Sequence, residues 1–123
     1  MAERLRTLHA AQFSAAHRLR HKAEFDLVYR EGRRYSDSLF LVLARSNSVD
    51  RPRLGLSISS KAVGNAVSRN RIKRAVRESF RNYAVHLPSV DIVVNARPAA
   101  KASDNSALAY SLERLWDKLA RHA

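Results

Sequence analysis

At 123 residues, with 23 Lys+Arg against 11 Asp+Glu and no cysteine, the chain carries a formal net charge of +12 and an isoelectric point near 11.2. That length fits one domain able to bury roughly two-thirds of the surface its unfolded chain exposes, so one modest core is expected. The charge is the electrostatic footprint of a nucleic-acid binder, and the missing cysteines exclude disulfides and thiolate metal sites.

No apolar run approaches the roughly 18 residues of a membrane span, there is no lipidation motif, and no apolar stretch follows the Met-Ala-Glu-Arg start. A cytoplasmic protein with no membrane partner is therefore expected. Residues 1–16, where Leu5, Leu8 and Phe13 alternate weakly with Arg4, Arg6 and His9, read as a mobile basic extension. Residues 17–123 then form a single domain. Its first legible element is KAEFDLVYRE, a short helix over residues 22–31, ended by Gly32 where a left-handed residue is wanted. Phe25, Val28 and Tyr29 share one face of it, and spacing alone makes all three core.

Residues 39–44 are apolar on both alternating sets, which fits a strand covered on both sides, with residues 33–36 a short strand before it. After a turn over residues 46–52, residues 53–59 alternate: Leu54, Leu56 and Ile58 face one way, and Gly55, Ser57 and Ser59 the other. The small face is either an ordinary solvated one or a shallow floor on which a nucleotide chain lies close to the backbone. Residues 61–67 join this strand to the next helix through a Gly64-Asn65 turn, with Asn65 or Ser68 as the helix cap.

That helix is the most informative stretch. From Ser68 onward, Ile72, Val76, Ser79, Phe80 and Tyr83 form a stripe to bury. Lys73, Arg74, Arg77 and Arg81 lie opposite with Asn70, flanked by Arg69 and Arg71. The six basic residues from Arg69 to Arg81 face one acid, Glu78. The like-charged pairs Arg69/Lys73, Lys73/Arg77 and Arg77/Arg81 each cost about 0.2–0.5 kcal/mol, against one favourable pair, Arg74/Glu78. On charge alone this is either a solvated basic face or, as the cost of keeping the cations together favours, a surface with a polyanion to set against it.

The helix runs to about His86 and stops at Leu87-Pro88. A strand over residues 91–96 follows, ended by Arg97-Pro98. A last helix, capped by Ser103 or Asp104, buries Leu108, Leu112, Leu115 and Leu119 beside Trp116. The order predicts an α+β fold: a small sheet of about four strands with helices packed on it, containing a βαβ unit made of strand 53–59, the basic helix and strand 91–96. For catalysis the inventory is poor. The acids are scattered, and the five histidines form no ligand pattern beyond His17/His21, which sits among Arg18, Arg20 and Lys22. No catalytic side chain and no metal site are expected on this polypeptide.

The stretch SRNRIKRAVRESFR, residues 68–81, is similar residue for residue to the signature helix of the protein subunit of bacterial ribonuclease P. That family carries an Arg-Asn-Arg core, here Arg69-Asn70-Arg71, running into Ile72-Lys73-Arg74 with Arg77 one turn later, and the resemblance extends from about Arg18 to Leu119. It implies an accessory subunit of the tRNA 5′-processing endoribonuclease. Its large RNA holds magnesium ions and hydrolyses the phosphodiester that releases the 5′ leader of precursor tRNA. It implies also that the βαβ crossover is left-handed, against the general rule.

Carried over, Arg69, Asn70, Arg71, Lys73, Arg74 and Arg77 contact the catalytic RNA, with Lys61 and Arg81 extending that surface. Phe25 and Tyr29 match the aromatics of the leader cleft, over a floor that includes Ser57 and Ser59. Stacking on an aromatic ring tolerates any base, which suits a leader of variable sequence. Two places depart from the family pattern. Leu43 stands where members often have an aromatic, and Ser60-Lys61 where many have paired lysines. A structural RNA-binding protein of ribosomal type shares the charge but lacks the cleft. A DNA-binding regulator reading with residues 68–86 needs a second helix packed closely before it, whereas a strand is expected there, so no DNA partner is expected.

Overall fold

The computed structural model describes residues 15–122, so the basic extension expected over residues 1–16 lies, up to residue 14, outside the described residues. After a single turn of 3-10 helix at Ala15–His17, the elements in order are α1 (Lys22–Glu31), β1 (Arg33–Ser36), β2 (Phe40–Ser46), β3 (Arg53–Ser57) and α2 (Ser60–Val63). They continue with α3 (Ala66–Tyr83), β4 (Val90–Ala96), α4 (Ala99–Ala102) and α5 (Asn105–His122). The four strands form one sheet in the order β1-β2-β4-β3. β1 and β2 make an antiparallel hairpin, β2 runs antiparallel to β4 from Phe40 opposite Ala96 to Ser46 opposite Val90, and β3 runs parallel to β4. The parallel pair joined through α3 is the expected βαβ unit.

Both sheet faces are covered, which explains why β2 is apolar on both alternating sets. Phe40, Val42, Leu54, Ile92 and Val94 meet Ile72, Val76 and Phe80 of α3 and Leu108, Leu112, Leu115, Trp116 and Leu119 of α5 in the main core. On the other face Leu43 and Val93 pack under Val28 of α1 and Leu19. Trp116 is fully buried, so its indole N–H requires a partner. It donates to Ser79 Oγ at 2.9 Å, which accounts for a serine inside the apolar stripe of α3.

Several local expectations are corrected. Gly32 is extended, at φ −74° and ψ 150°, not left-handed. Its smallness serves a close approach instead, since a Cβ there would lie 2.4 Å from the Val28 carbonyl oxygen. The strand expected over residues 53–59 ends at Ser57, and the Ser59 hydroxyl accepts from the Ala62 N–H at 3.2 Å as the cap of α2. A four-residue helix thus occupies part of the expected turn. At one turn it is too short to be the first helix of a helix-turn-helix. Gly64 keeps the turn itself, with φ 89°, a conformation that favours glycine. Of the two caps offered for α3, Asn65 serves, accepting from the Ser68 N–H at 3.0 Å. For α5 it is Asp104, accepting from the Ala107 N–H at 2.8 Å.

An ion network not singled out in the sequence ties α1 to the parallel strands. Arg53 grips the buried Asp91 with two hydrogen bonds, Nε to Oδ1 and Nη2 to Oδ2, both 2.8 Å, and reaches Glu24 Oε2 with Nη1 at 3.0 Å. Asn47 Nδ2 donates to the same Asp91 at 2.8 Å. The other oxygen of Glu24 accepts from the N–H groups of His21 and Arg20, capping α1. Burial pulls the Glu24 carboxyl upward, but these N–H groups and Arg53 outweigh it, leaving its pKa below the ordinary 4.5. Removing one partner of such a pair strands the other. Asp91→Ala should therefore destabilise the fold by about 3 kcal/mol, read as a lower urea midpoint at unchanged slope. Because the folded-state pKa of Glu24 is depressed, its contribution is complete above 4.5 and is lost as pH falls through the lower folded value. Glu24→Gln should accordingly flatten the acid limb of the stability curve, and an unaltered acid limb would contradict the network.

Candidate nucleic-acid interface

The cations of α3 are held out by the burial of the opposite side of the helix: Ile72, Val76 and Phe80 are fully buried. Asn70, Arg74 and Arg77 are exposed, while Arg69, Lys73 and Arg81 are half-buried on the flanks. Among the described residues the ion pairs are Lys22–Asp26, Arg45–Glu31, Arg53–Glu24, Arg53–Asp91 and Arg121–Asp117. None uses a cation of α3, and Arg74/Glu78, favourable on spacing, is not closed. The Nε–H groups of Arg69 and Arg81 are sheltered and meet no acceptor among the described residues. Lys61 is exposed on α2.

Arg71 differs from its neighbours. Its guanidinium donates to Asn105 Oδ1 at 2.9 Å and to the carbonyls of Ser103, Lys101 and Ala100 at 3.0, 3.1 and 3.4 Å. It is a clamp on the α4–α5 connection, bonded through Nη1 and Nη2, and it lines the same groove as Asn70 and Arg74. Spacing placed it on a flank of the helix but could not show what it reaches.

The remaining polar side divides between two grooves. Asn70 and Arg74 line a groove of about 690 Å³ between α3 and α5, with Ala75, Glu78, Tyr83 and Glu113. Lys73 and Arg77 line a smaller one of about 200 Å³ at the edge of β3, with Arg18, Leu19, Phe25, Leu54 and Leu56. Phe25 and two of the α3 cations thus share one cleft, which the linear sequence separates by more than a whole strand.

The floor of that cleft is not the open small-residue face read from the strand. A Cβ on Gly55 would lie 2.5 Å from Phe25 Cζ and 3.1 Å from Leu19 Cβ, so the glycine is the seat of the Phe25 ring. Tyr29 stays 42% exposed and donates its hydroxyl to Asn95 Oδ1 at 2.7 Å. Asn95 lies opposite Ser57 across the β3–β4 pair, and its Nδ2 is sheltered without a partner among the described residues. Phe25, Tyr29 and Ser57 therefore come together, and Ser59, committed to its cap, lies beyond the strand. Val28 is pure core, and Leu43, also fully buried under α1, presents nothing to stack on. Asn95 was missed, although it and Asp91 are the two polar side chains of β4.

Among the described residues no group of three or more His, Cys, Asp or Glu comes together. Burial first, and Arg51 second, push the His17 imidazole below its ordinary pKa.

The model of the Ribonuclease P family matches residues 13–120. The chain belongs to that family. It is 45% identical to the ribonuclease P protein component of Thioalkalivibrio sulfidiphilus, over 87% of this chain and 89% of the relative. To that of Methylococcus capsulatus it is 47% identical, over 89% and 85%. Among solved structures, the Staphylococcus aureus RNase P protein superposes with a TM-score of 0.79 at 38% identity, covering 83% of this chain and 94% of that one. The Thermotoga maritima RNase P protein gives 0.75 at 34%, covering 82% and 96%. The ribonuclease P match spans both the basic helix and the aromatic cleft, so the two features belong to one family fold.

Since the Phe25 ring fills the space a side chain on β3 would take, Gly55→Ala should destabilise by about 1–3 kcal/mol through overpacking. It should also move the Phe25 ring resonances in an NMR spectrum. Unmoved resonances would mean that the ring does not rest there.

Proposed function

We propose that this chain is the protein component of a ribonuclease P ribonucleoprotein, which binds the catalytic RNA through α3 and the 5′ leader of precursor tRNA in the cleft between Phe25 and Lys73/Arg77. The observation that carries the reading is that Phe25 of α1 shares one cleft with Lys73 and Arg77 of α3, neither of which makes an ion pair among the described residues. Arginine forks hold phosphate oxygens in pairs, which suits Arg74, Arg77 and Arg69 to an RNA backbone, with Lys73, Lys61 and Arg81 as point charges or flanking support. Phe25 and Tyr29 offer ring faces next to those charges, the combination that single-stranded nucleic acid requires. Its tolerance of base identity suits leaders of different sequence.

In this reading the chemistry belongs to the RNA subunit, which holds the magnesium. Among the described residues the sheltered carboxylates are committed elsewhere. Asp91 is held by Arg53 and Asn47, Glu24 by Arg53 and two N–H groups, and Asp37 by the N–H groups of Leu39 and Phe40 and the Ser111 hydroxyl. What these side chains do is position, neutralise and exclude: cations offset phosphate repulsion between leader, tRNA and catalytic RNA, and the rings fix the leader strand. The reading of a ribosomal-type protein is not favoured, because the family match covers the cleft as well as the charge.

Reconstitution tests this. The protein alone should leave precursor tRNA intact, and adding it to the RNA subunit should lower the magnesium needed for turnover. Cleavage by RNA-free protein would overturn the division of labour. Arg74→Ala should reduce the slope of log K against log salt for RNA assembly by about 0.7–0.9, one phosphate contact. Phe25→Ala and Tyr29→Ala should each weaken binding of leader-bearing substrate by about 1–3 kcal/mol per stacked base and leave assembly unchanged. Equal loss of affinity for mature tRNA would place the rings outside the leader path.

A further inference from the structure

Resting on the reading of α3 as an RNA-docking helix, a further contact follows from what Arg71 holds. A short helix leaves its last carbonyls in want of partners, and the Arg71 guanidinium reaches two of those of α4, Ala100 and Lys101, and the carbonyl of Ser103 just after it, while also gripping Asn105. α4 is thereby fixed against the start of the basic helix. Its Lys101 reaches back over the turn that precedes α3: a Cβ on Gly64 would meet Lys101 Nζ at 3.1 Å and Cε at 3.5 Å. The absent side chain at Gly64 is the space the lysine occupies. Lys101 is exposed, as is Lys61 on α2, which packs against α4. Among the described residues neither makes an ion pair. The fold thus carries an ammonium group from a distant segment to the N-terminal end of an already cationic helix, with no acid of its own to receive it.

We propose that Lys101 is a phosphate contact to the catalytic RNA and that Arg71 is a positioning residue that holds it there, not itself a contact. The Arg-Asn-Arg core then divides its labour: Arg69 makes no ion pair among the described residues, and Arg71 places a cation the sequence keeps far away.

The test is assembly of the full chain with the RNA subunit, measured over a roughly tenfold range of monovalent salt. Lys101→Gln should reduce the slope by about 0.7–0.9, about a five- to eightfold smaller change in affinity over that range, with the melting temperature unchanged. Lys101→Arg should restore it. Arg71→Ala should lower the melting temperature and show the same loss of slope, with no further loss when combined with Lys101→Gln. Should Arg71→Ala fail to fold, Asn105→Ala loosens the clamp by one partner and should give a slope between those of the wild type and Lys101→Gln. An unchanged slope for Lys101→Gln overturns the contact, and a further full loss in the double variant makes Arg71 a contact in its own right. Arg74→Ala separates the levels. If wild type and Arg74→Ala both bind without salt linkage, the RNA-docking reading of α3 fails. If only Lys101→Gln is silent, this inference alone falls.

Discussion

The burial of one side of α3 is what everything else depends on. Three like-charged pairs four residues apart oppose that helix by about 0.2–0.5 kcal/mol each. Burying Ile72, Val76 and Phe80 each contributes about 1.5–3 kcal/mol in the other direction, so packing wins by several-fold. The helix is not stable as a helix; it is stable as one wall of a core. Its cations therefore need no internal acids, and the surface remains charged for a partner.

Around that wall the fold sorts its arginines by what they meet. Arg53 and Arg71 lie inward, one holding a carboxylate pair under α1, the other the carbonyls of a one-turn helix. Arg74 and Arg77 lie outward with no ion pair among the described residues. The inward pair fixes the two elements that flank α3, namely α1 with its aromatic rings and the α4–α5 connection. The second, smaller core beneath α1 completes this by pinning Val28 on Leu43 and Val93, which leaves Phe25 and Tyr29 at its margin and in reach of the β3 edge.

Much of this was legible in the chain. Periodicity gave α1, α3 and α5 to within a few residues, alternation gave β3 and β4, a run apolar on both faces gave β2 with β1 as a short strand before it, and the Arg-Asn-Arg stretch gave the family. Three things were not legible, each for a physical reason. The helices α2 and α4 are single turns, too short to have a period. The roles of Gly55, Gly32 and Arg71 depend on which side chain arrives from elsewhere in space, and local spacing carries no information about that: Gly55, on the small face of its strand, seats the Phe25 ring, and Arg71, on a flank of α3, clamps the α4–α5 connection. Asp91 could have been noticed as a lone acid opening an apolar strand, a position that calls for a buried cation, yet nothing nearby in sequence points to Arg53 as the partner.

The chain has a single tryptophan, and it lies where α5 meets α3, edge-on to Phe80 and hydrogen-bonded to Ser79. Its buried ring lines neither the groove of Asn70 and Arg74 nor the cleft of Phe25. Its fluorescence is therefore an optical gauge of whether the basic helix is seated, one that responds to loosening of the seam and stays quiet when only surface charge is altered. Folding and ribonucleoprotein assembly can be followed separately in the same sample, without any added label.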